Sequence, residues 1–556
     1  VPDRATRSLT CLGAALVCAL SVLPLQAETR GGLPGGLPLD AETSDGSIRL
    51  IWPDAKPRIA GNAEISRRPL GETGIASWQV IAPAAGAVQF YRDDTATPGT
   101  AWEYRVRRIG RGVIDQGYWA GGTGLVTPDH RGTAVLVVAE GTDEAIAPRL
   151  DRFRDDLTGD GWHVVDLAVP SGRNLNPAQT LPLARSLKSE IRTAYLTRSA
   201  GDFAIILVGP VPLVQSGRIA PDGHEARAFG TDLFHADLDA EWPAREDGIL
   251  VPSTIPGGRI EAMVGRIDFS RTAPRQPEKE TAFLRAYFDR NHAWRHGEWG
   301  DLRDAYLGKP HHLFVEGEGL ANIVGPANVT EGGHHDVGET RRWLFGVDFG
   351  DANGARYLTE HAARPTFAIN FGSYKPSIER VNNAMAAIMA EPNQALAVAW
   401  GARPAWRLHA MAVGRTIGDA QIRTVNNGPD MPGRFDTTDY LPTGQYPMFH
   451  PVWGTLLGDP TLHAFPVLPP ADLTLTRTTD KATLTWTASP EPGATYRLYR
   501  AGPDGIFMPL GPGTVDATTF TDPDPLPHAR YMVRARVLKR IHAGSLFALS
   551  QGVFAQ

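Results

Sequence analysis

The sequence predicts a multidomain fold: a central α/β domain with a mostly parallel sheet, flanked by two all-β sandwiches. Three observations predict it. The chain has 556 residues, more than one small fold organises at roughly 100–200 residues per domain. Its middle alternates apolar runs with helical patterns, the signature of strands and helices taken in turn. Its two ends carry the same succession of short alternating strands in the same order.

Composition narrows the class. Hydrophobic residues make up 42% and charged residues 21%, with 59 Gly and 45 Pro, which fits a globular, loop-rich chain and excludes a disordered or fibrous one. The formal charge is −6, and Lys and Arg are scattered along the length, so the electrostatic footprint of a nucleic-acid binder is missing.

At the start, Arg4 and Arg7 precede the apolar run LTCLGAALVCALSVLPL, and Gln26-Ala27 closes a small-residue cleavage site. Residues 1–27 therefore read as a secretory signal, with an uncleaved anchor helix as the alternative. No later segment is apolar enough to span a membrane, so the expected location is secreted, periplasmic or at the cell envelope. Both cysteines, Cys11 and Cys18, fall inside this segment. The chain beyond Ala27 can form no disulfide, no thiolate metal site and no cysteine nucleophile. Residues 28–40, with GGLPGGLP, read as a linker.

The first sandwich is expected over residues 41–126, from the strands Ser47–Trp52, Ala63–Leu70, Ser77–Pro83 and Ala101–Gly110, parted by Gly, Pro and Asp turns. The α/β domain follows over 127–466. Its buried strands are expected at Thr133–Ala139, Trp162–Val169, Phe203–Gly209, Ile260–Ile267, Pro365–Gly372 and Gln394–Trp400, near-continuous apolar runs of the kind that parallel sheets bury on both faces. Helices are expected between them, the last over Glu379–Ala390. Ligands of such sheets bind beyond the carboxyl ends of the strands. The last sandwich, 467–556, repeats the first: KATLTWTAS, ATYRLYRAG, FTD and RYMVRARVL align in order with IRLIWP, AEISRRPLG, FYRD and EYRVRRIG. The two are expected to fold as separate units.

Trp52 and Trp486, the YR-type strands, and the Tyr-x-Val strands at Tyr104–Val106 and Tyr531–Val533 make both ends resemble fibronectin type III domains. The middle resembles, in the order of its pieces, the caspase-fold catalytic domain of gingipain-type secreted cysteine peptidases. Its better markers are VGRI (Val264–Ile267) and GDPTL (Gly458–Leu462). That resemblance implies a histidine and a cysteine at the ends of adjacent strands, because a thiolate made by a neighbouring imidazole is the nucleophile. Neither is in place. The strand expected to end in the cysteine reads TFAINFGSYKPS, with Gly372, Ser373 and Tyr374 at the turn. The strand expected to carry the histidine reads HHLFVEGEGL, with Glu316 or Glu318 at that point.

Several residues are candidates for chemistry. Ser373 could act as the nucleophile of a hydrolase, with His334, His335 or His361 as base and Asp336 or Glu339 to orient it, although the second glycine of a G-x-S-x-G elbow is lacking. Glu316, Glu318, Tyr374 and Trp406 are candidates for binding, Trp406 because WGARPAWRLHAMAVG gathers aromatic and cationic side chains that could stack on a sugar; a helix packed under the sheet edge is the alternative. The loop PDGHEARAFGTDLFHADLDAEW offers Asp222, His224, Asp232, His235, Asp237 and Asp239. The first reading of this stretch is a solvated acidic loop; the alternative is a calcium site on Asp232, Asp237 and Asp239, which suit that ion in a stretch that the resemblance places near bound calcium.

The functional expectation is an exported, non-proteolytic protein on a peptidase fold, binding an extracellular protein, peptide or glycan. A peptide or ester hydrolase using Ser373 is the second reading. A carbohydrate-binding surface protein is the third.

Overall fold

The computed structural model describes residues 37–53, 62–85, 89–110, 113–219, 225–272, 276–309, 316–333, 341–349, 364–372, 375–390, 394–401, 406–427, 451–478 and 480–555. All belong to one compact unit, Pro34–Gln556. The segment read as an export signal lies outside the described residues. Among them, no helix is long and apolar enough to cross a membrane.

Seven strands form the first sandwich: β1 (Asp40–Ser44), β2 (Ser47–Ile51), β3 (Asn62–Pro69), β4 (Gln79–Ala85), β5 (Phe90–Asp93), β6 (Trp102–Gly110) and β7 (Val113–Val126). One layer has the order β1-β2-β5, and the other runs β7-β6-β3-β4. Alternation puts Ile48, Leu50, Ile65, Tyr104 and Val106 inside, with Trp52 beside them, all nearly solvent-free, as period-two strands require. Leu37 and Leu39, expected in the linker, are also buried in this core.

The central domain holds β8 (Gly132–Ala139), α1 (Thr142–Gly159), β9 (Trp162–Val169), α2 (Pro177–Thr197), β10 (Asp202–Val208), the hairpin β11 (Gln215–Ile219) and β12 (Arg227–Gly230), α3 (Leu233–Ala236), β13 (Met263–Ile267) and α4 (Pro277–Arg295). It continues with β14 (Ala305–Lys309), α5 (Glu316–Val324), β15 (Val329–Gly333), β16 (Arg342–Val347), β17 (Arg364–Asn370), α6 (Ala384–Met389), β18 (Ala397–Trp400), α7 (Ile417–Val425) and β19 (Leu456–Gly458). Ten strands make one sheet in the order β15-β14-β16-β17-β18-β19-β13-β10-β8-β9.

That sheet is two half-sheets. Each has its second strand outermost and its first strand next, followed by its third, fourth and fifth, and within each every pairing is parallel. The halves meet antiparallel at β18 and β19, so their carboxyl ends lie on opposite edges. Gly458 makes that junction possible: its φ is +101°, and a Cβ there would stand 2.1 Å from the Leu396 carbonyl oxygen. The next residue, Asp459, fixes it to α4 by accepting hydrogen bonds from Asn291 and Arg295. GDPTL is thus a structural joint. α6 is shorter than the helix expected, because Asn383 caps it by accepting from the N–H groups of Met385 and Ala386.

The last sandwich repeats the first with β20 (Ala471–Arg477), β21 (Ala482–Thr487), β22 (Thr495–Ala501), β23 (Phe507–Pro509), β24 (Thr519–Asp522), β25 (Tyr531–Ile541), β26 (Gly544–Leu549) and β27 (Val553–Ala555). Its layers are β20-β21-β24 and β26-β25-β22-β23, with β27 on β25. The two sandwiches are not separate units, because β26 pairs in parallel with β7 and their larger layers form one nine-stranded sheet. Backbone proximity decides this. Gly544 has φ +128°, and a Cβ on it would lie 1.9 Å from the Gly122 carbonyl oxygen.

Candidate functional site

The carboxyl ends of β9, β10 and β13 open on a cleft of about 830 Å³, where parallel strands of an open α/β sheet present their loops to ligands. Arg173 comes from the loop after β9, Val211 from that after β10, Asp268, Ser270 and Arg271 from that after β13, and Glu280 from the first turn of α4. Glu379 reaches in from the other half-sheet, on the segment before α6. It is anchored there because the Arg271 guanidinium donates to its carbonyl oxygen and Asn382 N–H donates to the Arg271 carbonyl.

The floor is rigid. Arg266 of β13 is buried and forks onto Asp232, with Nε to Oδ2 at 2.9 Å and Nη2 to Oδ1 at 2.7 Å, while Nη1 donates to the Val211 carbonyl at 2.9 Å. Such bidentate pairs fix planar geometry as well as charge. Above it, Arg173 donates to both oxygens of Glu280 at 2.8 Å. Burial raises the Glu280 carboxyl above its ordinary value against the opposing pull of Arg173. Burial likewise raises Glu379, which accepts the Gly230 N–H at 3.0 Å. A second hollow of about 500 Å³ shares Gln215 and Glu379 with the first and is bordered by Arg218, Arg227, Arg245 and Arg380. The described lining residues include no cysteine and no histidine. In the first cleft the Arg173 and Arg266 forks are already closed on Glu280 and Asp232; the guanidinium groups that border the second hollow suit anionic groups.

The residues singled out from sequence fall in different places. Ser373, Tyr374, His334, His335, His361, Asp336, Glu339, Asp222 and His224 lie outside the described residues. Glu316 and Glu318 fall in the first turn of α5. The stretch that leads to them follows β14, and β14 does not neighbour β17. β16 lies between the two and pairs with both. The strand expected to stand beside β17 was therefore misplaced: RWLFGV, passed over in the sequence, holds that position.

Trp406 is a correction. It is 2% exposed and its Nε1–H donates to the Trp400 carbonyl at 2.8 Å, so it offers no face to a ligand. Its neighbours serve the joint with the first sandwich: the Arg407 guanidinium lies over the Tyr118 ring, and His409 Nε2 is 2.6 Å from Glu103.

Of the candidate calcium ligands, Asp237 and Asp239 come together and Glu261 joins them, with one carboxylate oxygen of each within 4.8 Å of the others. Asp232 stands apart, held by Arg266. Burial raises Asp237 and Glu261, and Asp237 already accepts from Trp242 Nε1–H at 2.9 Å. His235 is fully buried in α3. Sequence reading missed Glu261 and Glu379, which lie far along the chain from the loops they meet. It also missed the pair His292 and His296, whose four-residue spacing on a helix was there to be read.

No protein-family model matches the chain, and no curated protein matches it. Solved structures resemble parts of it. An Fn3-like protein from Clostridium thermocellum is 23% identical over 16% of this chain and 88% of its own, with a TM-score of 0.13. The fn3 domain of human collagen alpha-1(XX) chain is 16% identical over 18% of this chain and 88% of its own, at 0.14. Pectate lyase PelI from Erwinia chrysanthemi is 14% identical over 19% of this chain at 0.14, and the match spans 35% of that enzyme's chain. The solved structures that resemble this multidomain, sheet-rich chain thus include fibronectin type III-like domains.

Proposed function

We propose that this chain is a non-proteolytic binding protein on a gingipain-like, caspase-type scaffold, working at the cell envelope or outside the cell. The observation that carries the reading is the pair of strand ends where such a peptidase would keep its thiolate and imidazole. β16 and β17 are parallel neighbours. β16 ends in Val347-Asp348-Phe349 and β17 in Asn370-Phe371-Gly372, with no cysteine or histidine in either described end. The whole chain has no cysteine beyond Cys18. Without a thiolate, peptide cleavage by this route has no nucleophile.

Binding is assigned to the arginine-bordered hollow beside the cleft at the ends of β9, β10 and β13, and its ligand to the anionic side of the expected classes, an acidic peptide or an acidic glycan. Turnover of Arg-, Lys- and Asp-type peptide substrates should stay at background. A fluorescent oligoglutamate peptide should bind in a salt-dependent manner and be weakened by Arg218→Glu and Arg245→Glu. Fluorophosphonate labelling that is lost in Ser373→Ala, with turnover above background, would replace this reading by the hydrolase. The recovery of exported protein with a mature N-terminus beyond Cys18 tests its location.

A further inference from the structure

We propose that Asp156, His292 and His296 form a binding site for one divalent transition-metal ion of the zinc class, which clamps α1 to α4. The placement follows from helix geometry. His292 and His296 are four residues apart at the carboxyl end of α4, so their side chains share a face one turn from each other, and their ring centroids are 4.0 Å apart. Asp156 stands opposite on α1. His292 Nδ1 lies 2.9 and 3.0 Å from its two oxygens, and His296 Nε2 lies 3.0 Å from Oδ1. One ligand atom from each residue falls within 4.8 Å of the other two.

The donor set selects the metal. Two imidazole nitrogens and one carboxylate oxygen suit zinc, cobalt, nickel or copper, whereas calcium and magnesium take oxygen ligands. Ligand–metal distances of about 2.0–2.2 Å need only a small outward movement of atoms that now lie in hydrogen-bond contact. Asp156 is 5% exposed, His292 26% and His296 21%, so the carboxylate is buried while the imidazoles reach solvent and leave room for a fourth ligand from water. Nearby cations are held elsewhere: Arg295 bonds Asp459 and Asp160, and Arg149 and Arg152 bond Asp289. Among the described residues, the hydrogen-bond partners of the Asp156 carboxylate are the two histidines, and the Arg295 charge is felt there without a bond. The interface around it is preformed, with Phe153 of α1 against Phe288 of α4 at 5.0 Å. Binding requires the coordinating nitrogens to give up any proton they hold, to solvent or to the other ring nitrogen, so affinity should fall in acid.

The test uses the full chain stripped with chelator, then titrated with Zn²⁺ by calorimetry and with Co²⁺ by visible absorption. One equivalent is expected, along with a higher midpoint of thermal unfolding. Asp156→Asn and His296→Gln should each weaken that binding by more than about 100-fold. His334→Ala with His335→Ala, and Asp239→Asn, should leave it unchanged. Because His296 is at the helix end and partly exposed, His296→Gln should still fold, which circular dichroism checks; His296→Cys should restore binding and add a thiolate-to-Co²⁺ absorption band. Absence of binding to the wild-type chain, or binding that survives both Asp156→Asn and His296→Gln, overturns the site. Neither result touches the non-proteolytic reading.

Discussion

In the first sandwich Asp93, at the end of β5, accepts hydrogen bonds from Tyr104 at 2.8 Å and from Arg67 at 2.5 Å; in the last, Asp522, at the end of β24, accepts them from Tyr531 at 2.8 Å and Arg500 at 2.8 Å. The residues that define each sandwich internally are therefore equivalent, strand by strand. The residues that hold each sandwich to the central domain are not. The first sandwich inserts a buried cluster in which Arg68 Nε donates to Glu103 Oε2 at 2.6 Å and His409 Nε2 meets Oε1 at 2.6 Å. The neighbours of the matching Tyr531 and Arg500 are Arg530 and Ala501. Arg530 faces outward to Asp155 at 3.1 Å, with side chains 40% and 53% exposed. The last sandwich docks instead through Asp129, which accepts from Arg497 and Tyr499, and through buried Arg534 beside Asp160. A duplicated fold conserves its own core pattern, while each copy acquires the polar groups that its position demands.

The largest effect should come from Glu103. Removing one partner of a buried ion pair leaves an uncompensated charge and costs about 3–5 kcal/mol, so Glu103→Ala should lower the unfolding free energy by that order in denaturant titration. The same cluster sets an acid dependence. Burial works to raise the Glu103 carboxyl, but the His409 hydrogen bond and the charges of Arg423 and Arg68 outweigh it and hold it below its usual value. Burial lowers His409 against the pull of Glu103. A depressed carboxyl stabilises the fold above its unfolded value and loses that contribution as pH falls; an imidazole kept neutral does the same below pH 6.5. Stability should thus decline on acidification from pH 6.5, and Glu103→Gln should flatten the part below pH 4.5. A wild-type chain equally stable at pH 7 and pH 4 would contradict this account of the joint.

Next comes the shared sheet. Gly544→Ala places a methyl group against the Gly122 carbonyl oxygen and a side chain at positive φ, an overpacked contact of about 1–3 kcal/mol. Hydrogen exchange should then rise at β7 and β26 together. Exchange confined to one strand would mean that the two layers are adjacent without being one cooperative sheet.

Of the same order are the paired tyrosines. Tyr104→Phe and Tyr531→Phe each remove one hydrogen bond to a carboxylate, worth about 1.5–3 kcal/mol for a charged partner. Similar losses from the two would support the equivalence. The phenols also predict an alkaline limit. Burial, then Asp522, pushes Tyr531 up from 10.0 to about 12. An acid raised in the fold stabilises it below its unfolded value and loses that contribution as pH climbs from 10 to 12. Ultraviolet titration should show Tyr531 ionising there, and Tyr531→Phe should remove the step.

Much of this architecture was readable because burial leaves a periodic trace. Val135 to Ala139 and Phe203 to Val208 are solvent-poor on both faces and read as continuous apolar runs; Ala482, Leu484 and Trp486 alternate with exposed neighbours and read as a half-buried strand. The parallel contact of β7 with β26 left almost no trace, since backbone atoms and two glycines make it. β16 was missed because RWLFGV begins with arginine and is short, and its omission shifted the expected neighbour of β17 from β16 to the stretch after β14. At the candidate site the loop carboxylates Asp237 and Asp239 were legible as a local cluster. Glu261 and Glu379 were not, because what joins them to their partners is tertiary contact.

The smallest effect is the one that completes the comparison. Arg530 is the last sandwich's counterpart of Glu103 in strand position, and it too bonds a group on the central domain, here the carboxylate of Asp155. Water reaches both of its partners, so the pair has already kept most of its solvation, and an exposed ion pair contributes about 0–1 kcal/mol. Its guanidinium also lies 4.9 Å from the Phe554 ring centroid, a contact that adds packing without burial of charge. Arg530→Ala should therefore cost less than about 1 kcal/mol, and the cost should shrink in high salt, where exposed charges are screened. Glu103→Ala should respond little to the same salt. If Arg530→Ala proved as costly as Glu103→Ala, burial could not be what separates the two joints, and the difference between the sandwiches would have to lie in Asp129, Arg497 and Tyr499.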